Sequence, residues 1–145
     1  MATALQPKRD ISRLEDYLEA IYNLNEEKGF ISTADISERL GVKSPTVSSM
    51  VAKLAKKGLL VHERYRGMKL TDKGERMARS VIRRHETTFE FLSMLGISKE
   101  VAYADAEGIE HHLHPITIYK FERLVEFLKK KPEYLRKIKD VIEGD

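Results

Sequence analysis

Between Gly29 and Thr71 the chain is cut at short intervals by Gly29, Gly41, Ser44-Pro45, Gly58 and Arg66-Gly67, which leaves no room there for a long helix. The pieces between the cuts are well defined. Ser32 followed by Asp35 reads as a capping box opening a short helix that ends at Leu40, with Ile36 and Leu40 turned inward. Ser44 then reads as an N-cap with Pro45 at the first helical position, where its missing N–H costs nothing. Val47, Val51 and Leu54 give this second helix a buried stripe, and Gly58 stops it. In LLVHERYRGMKLT, residues 59 to 71, two short extended runs surround a hairpin turn at Arg66-Gly67.

The flanking sequence is helical. Leu14, Leu18 and Ile21 recur at helical spacing, so Ile11 to about Glu27 reads as a first helix. Thr71 or Asp72 caps a long helix to about Leu95, Ser98 opens another that runs through about His114, and Thr117 to Ile142 is helical with an interruption near Pro132. The expected fold is mainly α with a small β wing. A winged helix-turn-helix occupies residues 1–71 and a helical domain residues 72–145.

Charge gives the first unit a partner. Between Arg39 and Lys69 there are eight Lys or Arg against one acid, Glu63, whereas from Asp72 onward the signs balance at fourteen each. A basic block flanked by neutral sequence suits an anionic partner. Short helix, glycine turn, second helix and basic hairpin, in that order, point to double-stranded DNA, with the second helix presented to base edges. The residues expected to meet DNA are Lys43, Ser44, Pro45, Thr46, Ser48, Ser49 and Lys53 on and before that helix, and Arg64 and Arg66 on the hairpin. Small hydroxyls permit close approach to the groove floor, and the cations pair with phosphates.

The second half carries different chemistry. AEGIEHHLH, residues 106 to 114, holds two carboxylates and three of the chain's five histidines. On a continuous helix Glu107, Glu110 and His111 share one face, beside an apolar face of Ala102, Ala106, Ile109 and Leu113. A surface Glu–His pair is common and by itself means little. His85, however, interrupts the apolar stripe Ala78, Val81, Ile82, Phe89 and Leu92, and a buried imidazole needs partners for both nitrogens. Those partners are either hydrogen bonds within the protein or a metal. Asp16 and Glu19 lie opposite the first helix's apolar stripe, where pattern alone makes them solvent-exposed.

EDYLEAIY near the N-terminus, the winged module, RRHE at 83 to 86 and AEGIEHHL together resemble the diphtheria-toxin-repressor family of metal-dependent regulators, and within it the manganese transport regulator branch. The resemblance runs from about Leu14 to Leu113. It implies a two-metal site held by Asp16, Glu19, His85, Glu107, Glu110 and His111, tying the first helix to the long helix and the one after it. It also implies a homodimer formed by the C-terminal helices, a palindromic operator, and metal-uptake genes as targets. Where the family's iron branch has methionine and cysteine, this chain has Asp16 and Glu107, so every side-chain donor is oxygen or imidazole nitrogen. Such a set suits Mn(II), two per chain, and would also take Fe(II), Co(II) or Zn(II). Phe89 and Tyr103 stand at positions matching the iron branch's second histidine site, and a chain ending at Asp145 leaves no room for the family's appended β-barrel.

Other function classes are narrowed rather than removed. With no cysteine, disulfides, thiolate zinc sites and cysteine nucleophiles are excluded. No apolar run reaches membrane-spanning length, and no secretory leader is visible, which fits a cytoplasmic protein. A di-iron enzyme would need Glu-x-x-His pairs, and no glutamate precedes a histidine by three here. The remaining alternatives are an iron(II)-responsive regulator of the same family and a winged-helix regulator with no metal effector. An enzyme is not expected.

Overall fold

In the computed structural model, residues 6–144 are described, with side chains from residue 13 onward. Seven helices and one two-stranded sheet follow in the order α1 (Gln6–Lys28), α2 (Thr33–Leu40), α3 (Ser44–Lys56), β1 (Leu60–Glu63), β2 (Gly67–Leu70), α4 (Asp72–Met94), α5 (Lys99–Ile109), a 3₁₀ turn (Glu110–His112), α6 (Pro115–Lys130) and α7 (Pro132–Glu143). The chain divides into two compact units, one ending at Ile82 and the other beginning at Arg83. Among the described residues no helix is long and apolar enough to cross a membrane.

The first unit packs α1, α2, α3 and the hairpin around Leu18, Ile21, Ile36, Val47, Leu54 and Met68, all almost completely buried. The capping box forms as its sequence spacing predicts: Asp35 N–H donates to Ser32 Oγ, and the Asp35 carboxylate accepts from Ser32 N–H at 2.8 Å. Gly41 ends α2 in the left-handed conformation, at φ +65°. At α3 the expectation needs correcting. Lys43, not Ser44, is the N-cap, because its carbonyl accepts from Thr46 and Val47 N–H, and no side chain caps the helix.

The hairpin pairs Leu60 with Leu70 and Glu63 with Gly67, so the turn is Arg64-Tyr65-Arg66 and Gly67 already belongs to β2. The turn's left-handed residue is Tyr65, at φ +71°. Gly67 is required for a different reason. Ile31 bridges β2 through reciprocal hydrogen bonds with Met68, and a Cβ on Gly67 would lie 2.4 Å from the Ile31 carbonyl oxygen. Asn25 completes the junction: its amide donates to the Gly29 and Met68 carbonyls and its oxygen accepts from Leu70 N–H. This latch ties α1 to the hairpin.

Asp35 also carries a testable pH dependence. The Ser32 backbone N–H, then the Lys28 ammonium and the Ser32 hydroxyl, hold its carboxyl down to about 2. A depressed carboxyl stabilises above the unfolded value near 4, and that stabilisation disappears as pH falls through the folded value. Asp35→Ala should therefore cost about 1 kcal/mol at pH 7. In urea melts the gap to the parent chain should narrow from pH 4 downward and close near pH 2.

The second unit comprises the remainder of α4 with α5, α6 and α7. Ala102, Ala106, Ile118, Val125 and Leu128 are buried, and Phe91 stacks on Phe121 at 4.7 Å. Ion pairs Arg83–Glu122 and Lys129–Glu90 join α4 to α6. The α-helical part of α5 stops at Ile109, earlier than expected. Pro115 disfavours helical backbone at His114; Leu113 and His114 are extended, so Glu110 to His112 tighten into a 3₁₀ turn. Ile109, expected on the apolar face, is instead 39% exposed.

Candidate metal centre and nucleic-acid interface

His85 organises the acidic cluster of the second unit. It projects from α4, its ring stacked on Phe89 and met edge-on by Tyr103 at 5.1 Å. Those two aromatic residues pack against the imidazole. Nδ1 of His85 lies 2.8 Å from Glu110 Oε2 and 3.3 Å from Glu107 Oε1. Glu110 and the imidazole are thus within hydrogen-bond distance. On the other side of Glu110, His111 Nε2 lies 3.4 Å from Oε1.

Glu107 stands in the last turn of α5 and Glu110 and His111 in the 3₁₀ turn that follows, and from there both carboxylates reach His85 Nδ1. Glu110 is only 2% exposed, so its carboxylate is buried. No Lys or Arg is among its hydrogen-bond and ion-pair partners given by the described side chains; these are imidazoles. A buried carboxylate is costly unless compensated. His85, Glu107 and Glu110 each offer a donor atom within 4.8 Å of the others, which is the spacing a divalent cation bridges. The residues fit a metal ion of the hard-oxygen and imidazole class.

Of the six residues expected at a metal site, the structure brings His85, Glu107, Glu110 and His111 together in the second unit. Asp16 and Glu19 lie on α1 in the first unit. They are half-buried rather than exposed, because Glu15, Tyr17 and Ala20 are buried as well as the Leu18 and Ile21 stripe. The histidines left outside the set, His62, His112 and His114, are exposed.

The residues expected to meet DNA all lie on the surface of the first unit: Lys43, Ser44, Pro45, Thr46, Ser48, Ser49 and Lys53 along α3, and Arg64 and Arg66 in the hairpin turn. Val47 and Leu54, on the opposite face of α3, are fully buried. Pro45, Thr46, Ser49 and Lys53 line an open groove of about 770 Å³ shared with Arg13, Asp16 and Tyr17 of α1. Sequence reasoning missed Arg13, which precedes the apolar stripe by one residue and carries no motif of its own.

Comparison with known proteins agrees with both halves. Residues 11–68 match the N-terminal DNA-binding domain of the iron-dependent repressors, and residues 71–139 match that family's metal-binding and dimerisation domain. The chain is 42% identical over 125 residues to the HTH-type transcriptional regulator MntR of Lysinibacillus sphaericus (strain C3-41), covering 86% of this chain and 90% of that protein. It is 40% identical over 128 residues to the protein of the same name from Bacillus subtilis (strain 168), covering 88% and 90%. Among solved structures, the manganese regulator SloR superposes with a TM-score of 0.69 at 32% identity, over 79% of this chain and 54% of that one. The IdeR of T. acidophilum gives 0.66 at 34%, over 76% and 53%. This chain thus spans about half the length of those two solved chains. With matched segments covering nearly the whole sequence, the chain belongs to the iron-dependent repressor family of metal-dependent DNA-binding regulators, the diphtheria-toxin-repressor family.

Proposed function

We propose that the protein is a Mn(II)-activated transcriptional repressor that silences metal-uptake genes in the cytoplasm. The observation that carries the reading is Glu110, a carboxylate inside the second unit whose charge is met by His85 and His111, with Glu107 at the same imidazole. Two carboxylates facing one nitrogen are relieved by a cation. Asp16 and Glu19, the right residue types in a family member, complete a six-ligand set for two ions per chain. Bound metal supplies positive charge that neutralises these carboxylates. All donors are oxygen or nitrogen, which suits Mn(II); later divalent ions would bind at least as tightly, so selectivity rests on geometry and availability.

On the DNA side, α3 enters the major groove with Thr46, Ser48 and Ser49 near base edges. Lys43, Lys53, Arg64 and Arg66 neutralise phosphate. Ile116, Tyr119, Leu124 and Phe127 of α6, and Tyr134, Val141 and Ile142 of α7, are large apolar residues left exposed in the single chain. A second copy of the chain covers them, and the homodimer sets two α3 helices on a palindromic operator. Metal that favours the DNA-competent state is tightened by DNA in return.

Selection from a random duplex pool tests this, using chelator-stripped protein with no metal, with Mn(II) or with Fe(II). A palindromic sequence enriched only with Mn(II), and released by EDTA, is the expected result. Enrichment that ignores chelator would instead select a winged-helix regulator with no metal effector. Enrichment with Fe(II) alone would select the iron-responsive alternative.

A further inference from the structure

The two arginines of the hairpin turn are not equivalent. Arg64 lies over the ring of Tyr65 at 5.3 Å, but Tyr65 is 93% exposed, so little of the fold packs against that ring. Arg66 lies 5.8 Å from the ring centroid of Phe30, and Lys69, from the middle of β2, places its ammonium 5.9 Å from the same ring. Phe30 is half-buried and its backbone is fixed on both sides: Gly29 accepts the Asn25 amide, and Ile31 is bridged to Met68. Lys69 alternates with buried Met68 and Leu70, so it projects from the outer face of β2. The Glu63 carboxylate, 3.7 Å from Arg66, is the one acid of the basic block.

A long cationic side chain loses rotamer freedom when it grips a phosphate. A ring face that already holds the cation reduces that loss, and an aromatic quadrupole attracts a cation within about 6 Å of its centroid. We propose that Phe30 is a positioning residue for DNA binding, a rigid platform that presents Arg66 and Lys69 together to the phosphate backbone. Arg64, without that platform, contributes charge alone. The inference rests on the DNA-binding reading above and deepens it.

The test measures fluorescence anisotropy of a labelled operator duplex, in Mn(II), over a salt series. Phe30→Leu should weaken binding about three- to tenfold while leaving the slope of log K against log salt unchanged, because no charge is lost. Arg66→Ala should weaken binding and reduce the slope by about one. In a background lacking both cations, Arg66→Ala with Lys69→Ala, the Phe30→Leu substitution should have no further effect. Phe30→Tyr should bind as the parent does, since it keeps the ring face. Phe30→Met serves as a second ring-free variant if Phe30→Leu folds poorly, with thermal melts of each reporting the fold. Parent-like binding by both ring-free variants would overturn the proposal, as would a full Phe30→Leu effect persisting without the two cations. A parent chain that binds no duplex would instead overturn the DNA reading, and this inference with it.

Discussion

Replacing His85 by alanine should lower Mn(II) affinity by at least about 100-fold and abolish the metal's effect on thermal stability. Partners that only orient a ligand are worth about 10- to 100-fold in affinity, and a direct donor is worth more. His85 is the group through which Glu107 and Glu110 meet, at 3.3 and 2.8 Å from one nitrogen. In the parent chain, free Mn(II) at 100 times its Kd adds about 2.7 kcal/mol to stability. For a chain of this size that is a rise of roughly 5–10 °C in Tm. Glu107→Ala separates metal binding from folding. Its side chain is 38% exposed, so losing it should leave the chelated protein's Tm within about 2 °C of the parent. His85→Ala should lower the chelated Tm further, because buried Glu110 loses a hydrogen bond worth about 1.5–3 kcal/mol. Mn(II) electron paramagnetic resonance titration and melts with and without EDTA read both quantities. Parent-like Mn(II) binding by His85→Ala would sink the metal-centre reading and leave the cluster a polar network.

That cluster was only partly legible in the sequence. The histidine in an apolar stripe and the Glu–Glu–His spacing both pointed to it, since helical periodicity reports neighbours on one element. The burial of Glu110 was not legible. Glu110 stands where α winding gives way to 3₁₀ winding after Ile109, five residues before Pro115. Pattern reading extends a helix until a breaker, whereas the backbone begins to unwind before it. Asp16 and Glu19 were misjudged for another reason. A stripe at 3.6 spacing names one buried face, and α1 buries Glu15, Tyr17 and Ala20 in addition to Leu18 and Ile21. Only the family resemblance put those two carboxylates in the ligand set.

The first unit was more readable, because its signals are local. A capping box, a left-handed glycine and a proline at a helix start each act within a few residues, and the two helices they bound, α2 and α3, formed within a residue of the expected limits. What escaped were contacts between elements distant in sequence. Asn25 reaches Met68 and Leu70, and Phe30 reaches Arg66 and Lys69. No periodicity encodes such pairs.

Gly74 is the sharpest case of a long-range constraint hidden in an ordinary helical pattern, and Gly74→Ala should destabilise the metal-free protein by roughly 2–4 kcal/mol. Propensity argues the other way, since alanine in a helix is worth about 1 kcal/mol over glycine. Packing decides the sign. A Cβ at Gly74 would lie 2.0 Å from the carbonyl oxygen of Leu59, a backbone atom with little freedom to retreat. Leu59 donates to Leu54 and its carbonyl accepts from Thr71 N–H at 3.0 Å. Thr71 is pinned too: its hydroxyl donates to the Gly58 carbonyl at 2.7 Å and accepts from Gly74 N–H at 3.1 Å. The start of α4 can make room only by breaking these bonds at the root of the hairpin. Gly108→Ala is the matched control, a helical glycine with nothing within 4 Å of the added carbon. There propensity acts alone, and stability should rise by about 0.5–1 kcal/mol. Urea unfolding of both variants in EDTA should therefore move the midpoint in opposite directions. A Gly74→Ala midpoint at or above the parent's would mean that α4 can pull away from the hairpin at little cost, and the close approach would then place no demand on the sequence.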